Sequence, residues 1–363
     1  MRTATRFMAL ELAVLLVVMA GAAGAQTISG VSGTVQHGAA VVISGSAFGT
    51  KAAATPVVWD NMETGAFSSR WSGTGSPGVL RVNTDNQRHT NSRYNGMANF
   101  IGVNNVEHAS FQGGTNSPKW YCQYWFKLGD DWNWGTTGTA GGSANLANIK
   151  FFRMWSSGSA TDNWVTATEG WSNDAIYKSS GPINESGWFA NGYQQDWTIG
   201  RWHLLQVEYK DSSQRDLRDG SVKMWMDGKL ILDDNTLLTR STAGSADGEF
   251  MRPYGIGFFN SWGDGSTDDN HFYIDDCYID NTWARVELGD ASTLAACTHR
   301  EIQPTTAWSA SQVNVTLNGG SFVPGNQAYL FVVTDAGAVS PGYPVTIGGT
   351  LVSAPGQPGK PTF

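Results

Sequence analysis

The sequence predicts an all-β fold. Its 363 residues include 44 glycines and 16 tryptophans, while only 15% are charged, a balance that suits strands and turns better than helices. Apolar and polar residues alternate through the centre of the chain, and no helical period is sustained beyond the first 25 residues. Between two alternating runs stands Asp227-Gly228. That dipeptide fits a two-residue hairpin, because a type I′ turn needs positive φ at both central positions.

The central runs are the clearest. In RWHLLQVEYK (201–210), Leu205, Val207 and Tyr209 alternate with Gln206, Glu208 and Lys210. In 219–234, Val222, Met224 and Met226 oppose Ser221, Lys223, Trp225 and Asp227. A period of two marks strands with one buried face, so this region is expected to be an antiparallel meander with its other face in water.

Taken in order, the chain first shows Arg2 and Arg6, the apolar run 12–20 and Ala23-Gly24-Ala25. This reads as a secretory signal ending at residue 25, and its apolar run is short for a retained membrane anchor. The expected location is therefore secreted, either extracellular or periplasmic, with association at the cell surface compatible with it. No later segment is apolar enough to insert into a membrane. A formal charge of −8 argues against nucleic acid and anionic membrane surfaces as partners. The three cysteines, Cys122, Cys277 and Cys297, permit one disulfide, with Cys277–Cys297 the favoured pair.

Residues 26–56 contain two strands about a His37-Gly38 turn, too little chain to close a sandwich alone. Alternation returns at 301–320, through Val313, Val315 and Leu317, and at 327–349, through Tyr329, Phe331 and Val333. Between these ends, 57–297 has the size of one all-β domain. It holds the aromatic runs WYCQYWFKLGDDW (120–132) and NIKFFRMW (148–155), then a Gly/Ser/Asn-rich stretch at 156–200. Residues 351–363 read as a flexible Pro/Gly tail.

Some of these motifs resemble known families. Gly45, Phe48 and Gly49 hold the G-x-x-F-G positions of IPT/TIG modules, and the W-S-x-S-x-V-x-V run at 308–315 resembles the second half of one. Segments 26–56 and 298–350 are therefore expected to form one discontinuous immunoglobulin-like sandwich with 57–297 inserted into it. The inserted segment opens with D-x-x-E-x-G from Asp60 to Gly65, and its central meander carries W-x-x-x-x-V-E-Y and DG-x-V-x-x-W-x-DG-K. These resemble the concanavalin A-like jelly rolls, a group that includes lectins, glucanases, LamG-like modules and polysaccharide lyases. That resemblance implies a jelly-roll β-sandwich and a structural Ca2+ held by Asp60, Glu63 and Asp276. Alternation turns Asp275 the other way, and backbone carbonyls and water would complete the six to eight oxygens calcium takes.

For chemistry, the glucanase pattern E-x-D-x-x-E is absent, which argues against hydrolysis of that type. β-Elimination from a uronate needs a group to neutralise the carboxylate and a proton carrier. Arg93, Lys150 and Arg153 are candidates for the first role, and Tyr254 and His89 for the second. Carbohydrate binding needs less, since tryptophan rings stack on the apolar faces of sugars. Trp134, Trp164, Trp171, Trp188 and Trp197 lie in or beside polar, Gly-rich stretches, and Trp225 sits on the outward side of its strand. The favoured expectation is a secreted protein that binds a polysaccharide or cell-surface glycan. A polysaccharide lyase is the second reading, and a structural surface protein whose tryptophans fill cores is the third.

Overall fold

The computed structural model describes residues 25–73, 80–101, 109–111, 116–132, 148–155, 163–169, 172–180, 185–188, 198–240, 250, 252–261 and 269–351. The signal-peptide reading falls outside them but for residue 25, and the tail falls outside them but for Leu351, which ends the last strand. The first strands are β1 (Thr27–Thr34), β2 (Ala40–Ser46), β3 (Val58–Asp60), β4 (Trp71–Gly73), β5 (Leu80–Asn83) and β6 (Asn95–Ile101). Next come β7 (Ala109–Phe111), β8 (Lys119–Leu128), β9 (Asn148–Trp155), β10 (Asn163–Glu169), β11 (Ser172–Ser180) and β12 (Glu185–Trp188). The central meander is β13 (Trp202–Lys210), β14 (Gly220–Met226) and β15 (Lys229–Leu237), followed by β16 (Arg252–Ser261) and β17 (Asp269–Asp280). The last are β18 (Arg285–Gly289), β19 (Arg300–Gln303), β20 (Thr305–Trp308), β21 (Gln312–Thr316), β22 (Gln327–Val333), β23 (Tyr343–Thr346) and β24 (Thr350–Leu351).

These strands build two sandwiches. The larger is a jelly-roll β-sandwich: an eight-stranded sheet, β15-β14-β13-β8-β17-β6-β5 with β3 on β17, and a seven-stranded sheet, β12-β11-β10-β9-β16-β7-β4. Its core is the inward row of the first sheet, including Cys122, Tyr124, Phe126, Leu205, Val207, Tyr209 and Ile274, closed by Met154 from the second. The meander follows the sequence expectation. Met226 pairs with Lys229 across a two-residue loop, and Asp227 and Gly228 have φ of 49° and 79°, as a type I′ turn requires.

The smaller sandwich draws on both ends of the described chain. One sheet runs β20-β21-β2-β1-β24 and the other β19-β18-β22-β23. They share a core of Val41, Ile43, Phe48, Val286, Leu288, Val313, Val315, Leu330 and Val332. Because β18 pairs with β19 and β22, this sandwich resumes at Arg285. The boundary read at residue 297 stands too late, since the alternation of 285–289 looks the same in either domain.

The polar face of the meander departs from expectation. Gln123 and Gln206 are each 1% exposed and Tyr121 is 0%, because the smaller sandwich lies against them. Ile302 of β19 packs with Tyr121 and Tyr278, flanked by Trp59 and Trp283. Alternation separates two faces but cannot tell water from a polar neighbour. The disulfide is also corrected: Cys122, Cys277 and Cys297 are all free and buried. Cys277 belongs to the jelly-roll core, whereas Cys297 donates toward the Thr293 and Ala291 carbonyls.

The two sandwiches meet at the meander's turn as well. A Cβ on Gly228 would stand 2.7 Å from the Cys297 carbonyl oxygen, at a backbone φ of 79°. Gly228→Ala is therefore expected to destabilise the protein by ~1–3 kcal/mol, read as a lower urea midpoint with an unchanged slope.

Candidate functional site

The described residues hold two places of chemical interest: the junction between the sandwiches and the middle strands of the seven-stranded sheet. At the junction, Arg88 lies in the loop between β5 and β6. Its Nη1 and Nη2 donate to the two carboxylate oxygens of Glu301 at 2.7 and 3.1 Å, and Nη2 also donates to Asp276. The guanidinium lies 4.6 Å from the centre of the Trp125 ring. A second knot holds Arg285, which donates to Glu287 at 2.6 Å and to Glu208 at 2.9 Å and lies over Tyr121 at 4.0 Å. A third is Lys51, 2.7 Å from Asp280 and donating to Thr305 at 3.0 Å.

Two adjacent acids reach Arg88 because β17 carries a bulge. The register of β17 on β8 slips between Asp275 and Tyr278, and Asp276 takes a φ of 48°. One extra residue in a strand turns consecutive side chains to the same side. Asp275, expected on the opposite side, therefore lies 3.8 Å from Arg88 Nε and accepts from the Ser92 hydroxyl at 3.0 Å. Burial, then the neighbouring Asp276, pushes the Asp275 carboxyl well above its ordinary range, against the pull of Arg88. Burial also raises Asp276. Glu301 goes the other way: burial works against its charge, but Arg88 and His299 hold it at about 2.

The metal expectation does not survive this geometry. Asp60 lies on the row of Val58, which faces the core, and accepts from the Met62 and Ser68 amides and the Trp71 indole at 2.9, 2.8 and 2.6 Å. Glu63 accepts from the backbone amides of Arg93 and Tyr94 at 2.8 and 3.1 Å. Asp276, on the outer face, is held by Arg88 and by the Asn318 amide at 2.9 Å. The three carboxylates point to different places and already have donors, so they do not fit a shared calcium ion. Among the described residues no group of three or more His, Cys, Asp or Glu could hold a metal.

The remaining sequence candidates separate. His89 lines a cleft of about 710 Å³ at the junction; burial, then Arg88, lowers its pKa to about 3. Arg93 is exposed, with its guanidinium 5.0 Å from the Tyr94 ring centre, and lies in the same loop as Arg88. Trp225 pairs with Gln206, so it belongs to the eight-stranded sheet on the side that meets the smaller sandwich, which corrects its assignment to a glycan face. Trp134, Trp171 and Trp197 lie outside the described residues.

Lys150, Arg153 and Tyr254 do come together in the seven-stranded sheet. β9 runs between β10 and β16. Arg153 pairs with Val165 and Lys150 with Ala167, with a register slip between, so the two basic residues stand two positions apart along β10 despite being three apart in sequence. On the other side Pro253 pairs with Met154 and Gly255 with Arg153. Tyr254 is thus the inserted residue of a bulge beside Arg153. Trp164 and Trp188 occupy β10 and β12 of the same sheet, paired with Met154 and Tyr177. Sequence reasoning missed Arg285, Glu287, Arg300 and Glu301; the available signal was charged residues alternating with Val286, Leu288 and Ile302 in short strands.

No protein-family model and no curated protein matches the chain. Solved structures that resemble it include the alginate lyase vAL-1 from Chlorella virus, at 10% identity over 62% of this chain and 99% of that one, with a TM-score of 0.44. A marine alginate lyase from Aplysia kurodai shares 12% identity over 55% and 86%, with a TM-score of 0.36. The metal-free carbohydrate recognition domain of Emp46p shares 11% over 63% and 94%, with a TM-score of 0.35. Likeness at this level adds nothing to the strand order and register above.

The buried charges set the expected response to acid and to mutation. Glu301 is held below the ordinary carboxylate range, so its contribution is complete above about pH 4.3 and fades as the pH falls toward about 2. Glu301→Gln leaves Arg88 short of a partner and is expected to cost ~3–5 kcal/mol at pH 7, read by denaturant unfolding. Asp275 has the opposite sign: its raised pKa favours the native state at low pH, and that advantage is lost as pH rises. Asp275→Asn is accordingly expected to raise the melting temperature at pH 8 by more than at pH 4.

Proposed function

We propose that this is an exported, polysaccharide-interacting protein whose glycan face is the outer face of the seven-stranded sheet. The observation that carries the reading is the burial of the other outer face: Tyr121, Gln123 and Gln206 are at most 1% exposed beneath the smaller sandwich. A two-sheet jelly roll offers two broad outer faces, and here one is given over to a partner sandwich. The face that remains is crossed by β9, β12 and β16, the strands of Lys150, Arg153, Trp188 and Tyr254. Aromatic residues among amides and cations are the composition by which proteins stack and orient sugars. The smaller sandwich, which resembles an IPT/TIG module in its motifs, serves as backing. The N-terminal leader motif supports a place outside the cytoplasm.

A second reading has its own observation in its favour. The paired register slips set Tyr254 beside Arg153 and bring Lys150 into step with Arg153. Bulges commonly re-aim side chains at active sites. In a uronate lyase, Arg153 or Lys150 would neutralise the sugar carboxylate, lowering the cost of charge at the adjacent carbon. Tyr254 would take the proton from that carbon and return one to the departing oxygen.

The test is incubation of the mature protein with neutral and uronate polysaccharides, following both retention on insoluble glycan and ultraviolet absorbance of an unsaturated product. Binding predicts retention without absorbance, weakened ~10-fold by Trp188→Ala, equivalent to about 1.4 kcal/mol. Absorbance that disappears in Tyr254→Phe would replace binding by the lyase. Neither retention nor absorbance would leave a structural protein.

A further inference from the structure

The junction cleft lies away from the seven-stranded sheet and is built by loops of both sandwiches. The jelly roll contributes His89, Thr90 and Asn91, and the smaller sandwich contributes His37, Ser321 and Phe322. Its volume of about 710 Å³ is within the range of small-molecule sites.

The hydrogen bonds fix which ring nitrogens carry hydrogen. The Asn91 amide donates to His89 Nδ1 at 3.1 Å, and the Gly319 amide donates to His37 Nδ1 at 3.3 Å. A ring nitrogen that accepts holds no proton, so in both residues the hydrogen of the neutral imidazole sits on Nε2. Neither Nε2 has a hydrogen-bond partner among the described residues, and the two ring centres are 5.9 Å apart. This tautomer is unsuited to a metal, because a histidine that ligates through Nε2 normally donates from Nδ1.

The cleft therefore presents two N–H donors. It also presents an apolar wall. Phe322 is buttressed by His299, stacked at 4.3 Å with an interplanar angle of 7°, and Val323 and Pro324 extend the wall. Behind His89, the single guanidinium of Arg88 faces Asp275, Asp276 and Glu301, which gives an anion no electrostatic advantage. Donors without a positive field, set against an apolar wall, suit a ligand that is uncharged, rich in acceptor oxygens and apolar on one side.

From this cleft we infer that the protein has a second carbohydrate subsite, at the junction of its sandwiches, which takes one neutral pyranose ring through His37, His89 and Phe322. Hydroxyl oxygens of the sugar accept from the imidazoles, and its C–H face packs on the phenyl wall. The subsite does not depend on the sheet-face reading, because no residue is shared between the two.

Titration of the full chain with the methyl glycosides of glucose, galactose and mannose, followed by NMR of the imidazole C–H signals, tests it. At least one neutral glycoside is expected to shift the His37 and His89 signals saturably. His37→Ala should weaken that binding by ~10-fold, the loss of about one hydrogen bond. His37→Gln, which keeps an N–H donor, should remain within ~3-fold of wild type, and an unchanged melting temperature in this variant shows that the loop is intact. Sodium acetate and glucuronate serve as anion probes. Absence of a saturable shift with every neutral glycoside would overturn the subsite. Tighter binding of either anion, or wild-type binding by His37→Ala, would overturn it as well.

Discussion

The buried ion network around Arg88, Arg285 and Lys51 is the constraint on which the arrangement of the two sandwiches depends. Each cation comes from one sandwich or its flanking loop and meets an acid of the other: Arg88 with Glu301, Arg285 with Glu208, Lys51 with Asp280. Buried pairs of this kind repay their desolvation only when the geometry is good. They add little net stability compared with an apolar contact of the same size, but they admit few alternative positions. The two forked contacts of Arg88 on Glu301 fix the loop before β6 against β19, and the Asp276 bulge supplies the third point.

This network also explains why one face of the meander is so polar. Gln123, Gln206 and Tyr121 bond to one another and to Glu287, so the second face is a polar core. A sheet buried on both faces usually reads as a continuous apolar run. Here it reads as an alternating one, because its second neighbour brings charge.

Much of the fold was legible in the residues, for local reasons. The Asp227-Gly228 turn, the alternation of β13 and β14 and the incomplete strand sets at both ends each follow from short-range rules. What escaped were features that depend on residues far apart. Asp275 and Asp276 look like ordinary alternating positions until a bulge sets both on one side. The boundary near Arg285 is invisible because a strand alternates alike in either sandwich. At the candidate site, the proximity of Lys150, Arg153 and Tyr254 was suggested by residue type, but only the register slips make it geometric. Asp60, Glu63 and Asp276 matched a motif, yet they face different surroundings, since spacing along the chain does not reveal which side of a sheet a carboxylate takes.

The discontinuity of the smaller sandwich has a consequence for the order of events during biosynthesis. β2 finds its partner in β21, Ala40 opposite Thr316, and β1 finds one in β24. A chain that emerges from its N-terminal side presents β1 and β2 as an unfinished hairpin, with Val31, Val41 and Ile43 exposed, until the entire jelly roll has followed. Isolated two-stranded hairpins are marginal in water, and unpaired edges invite association with other chains. The insertion thus makes the first strands made among the last to be secured, and closes the smaller sandwich around a jelly roll that has already had the chance to fold.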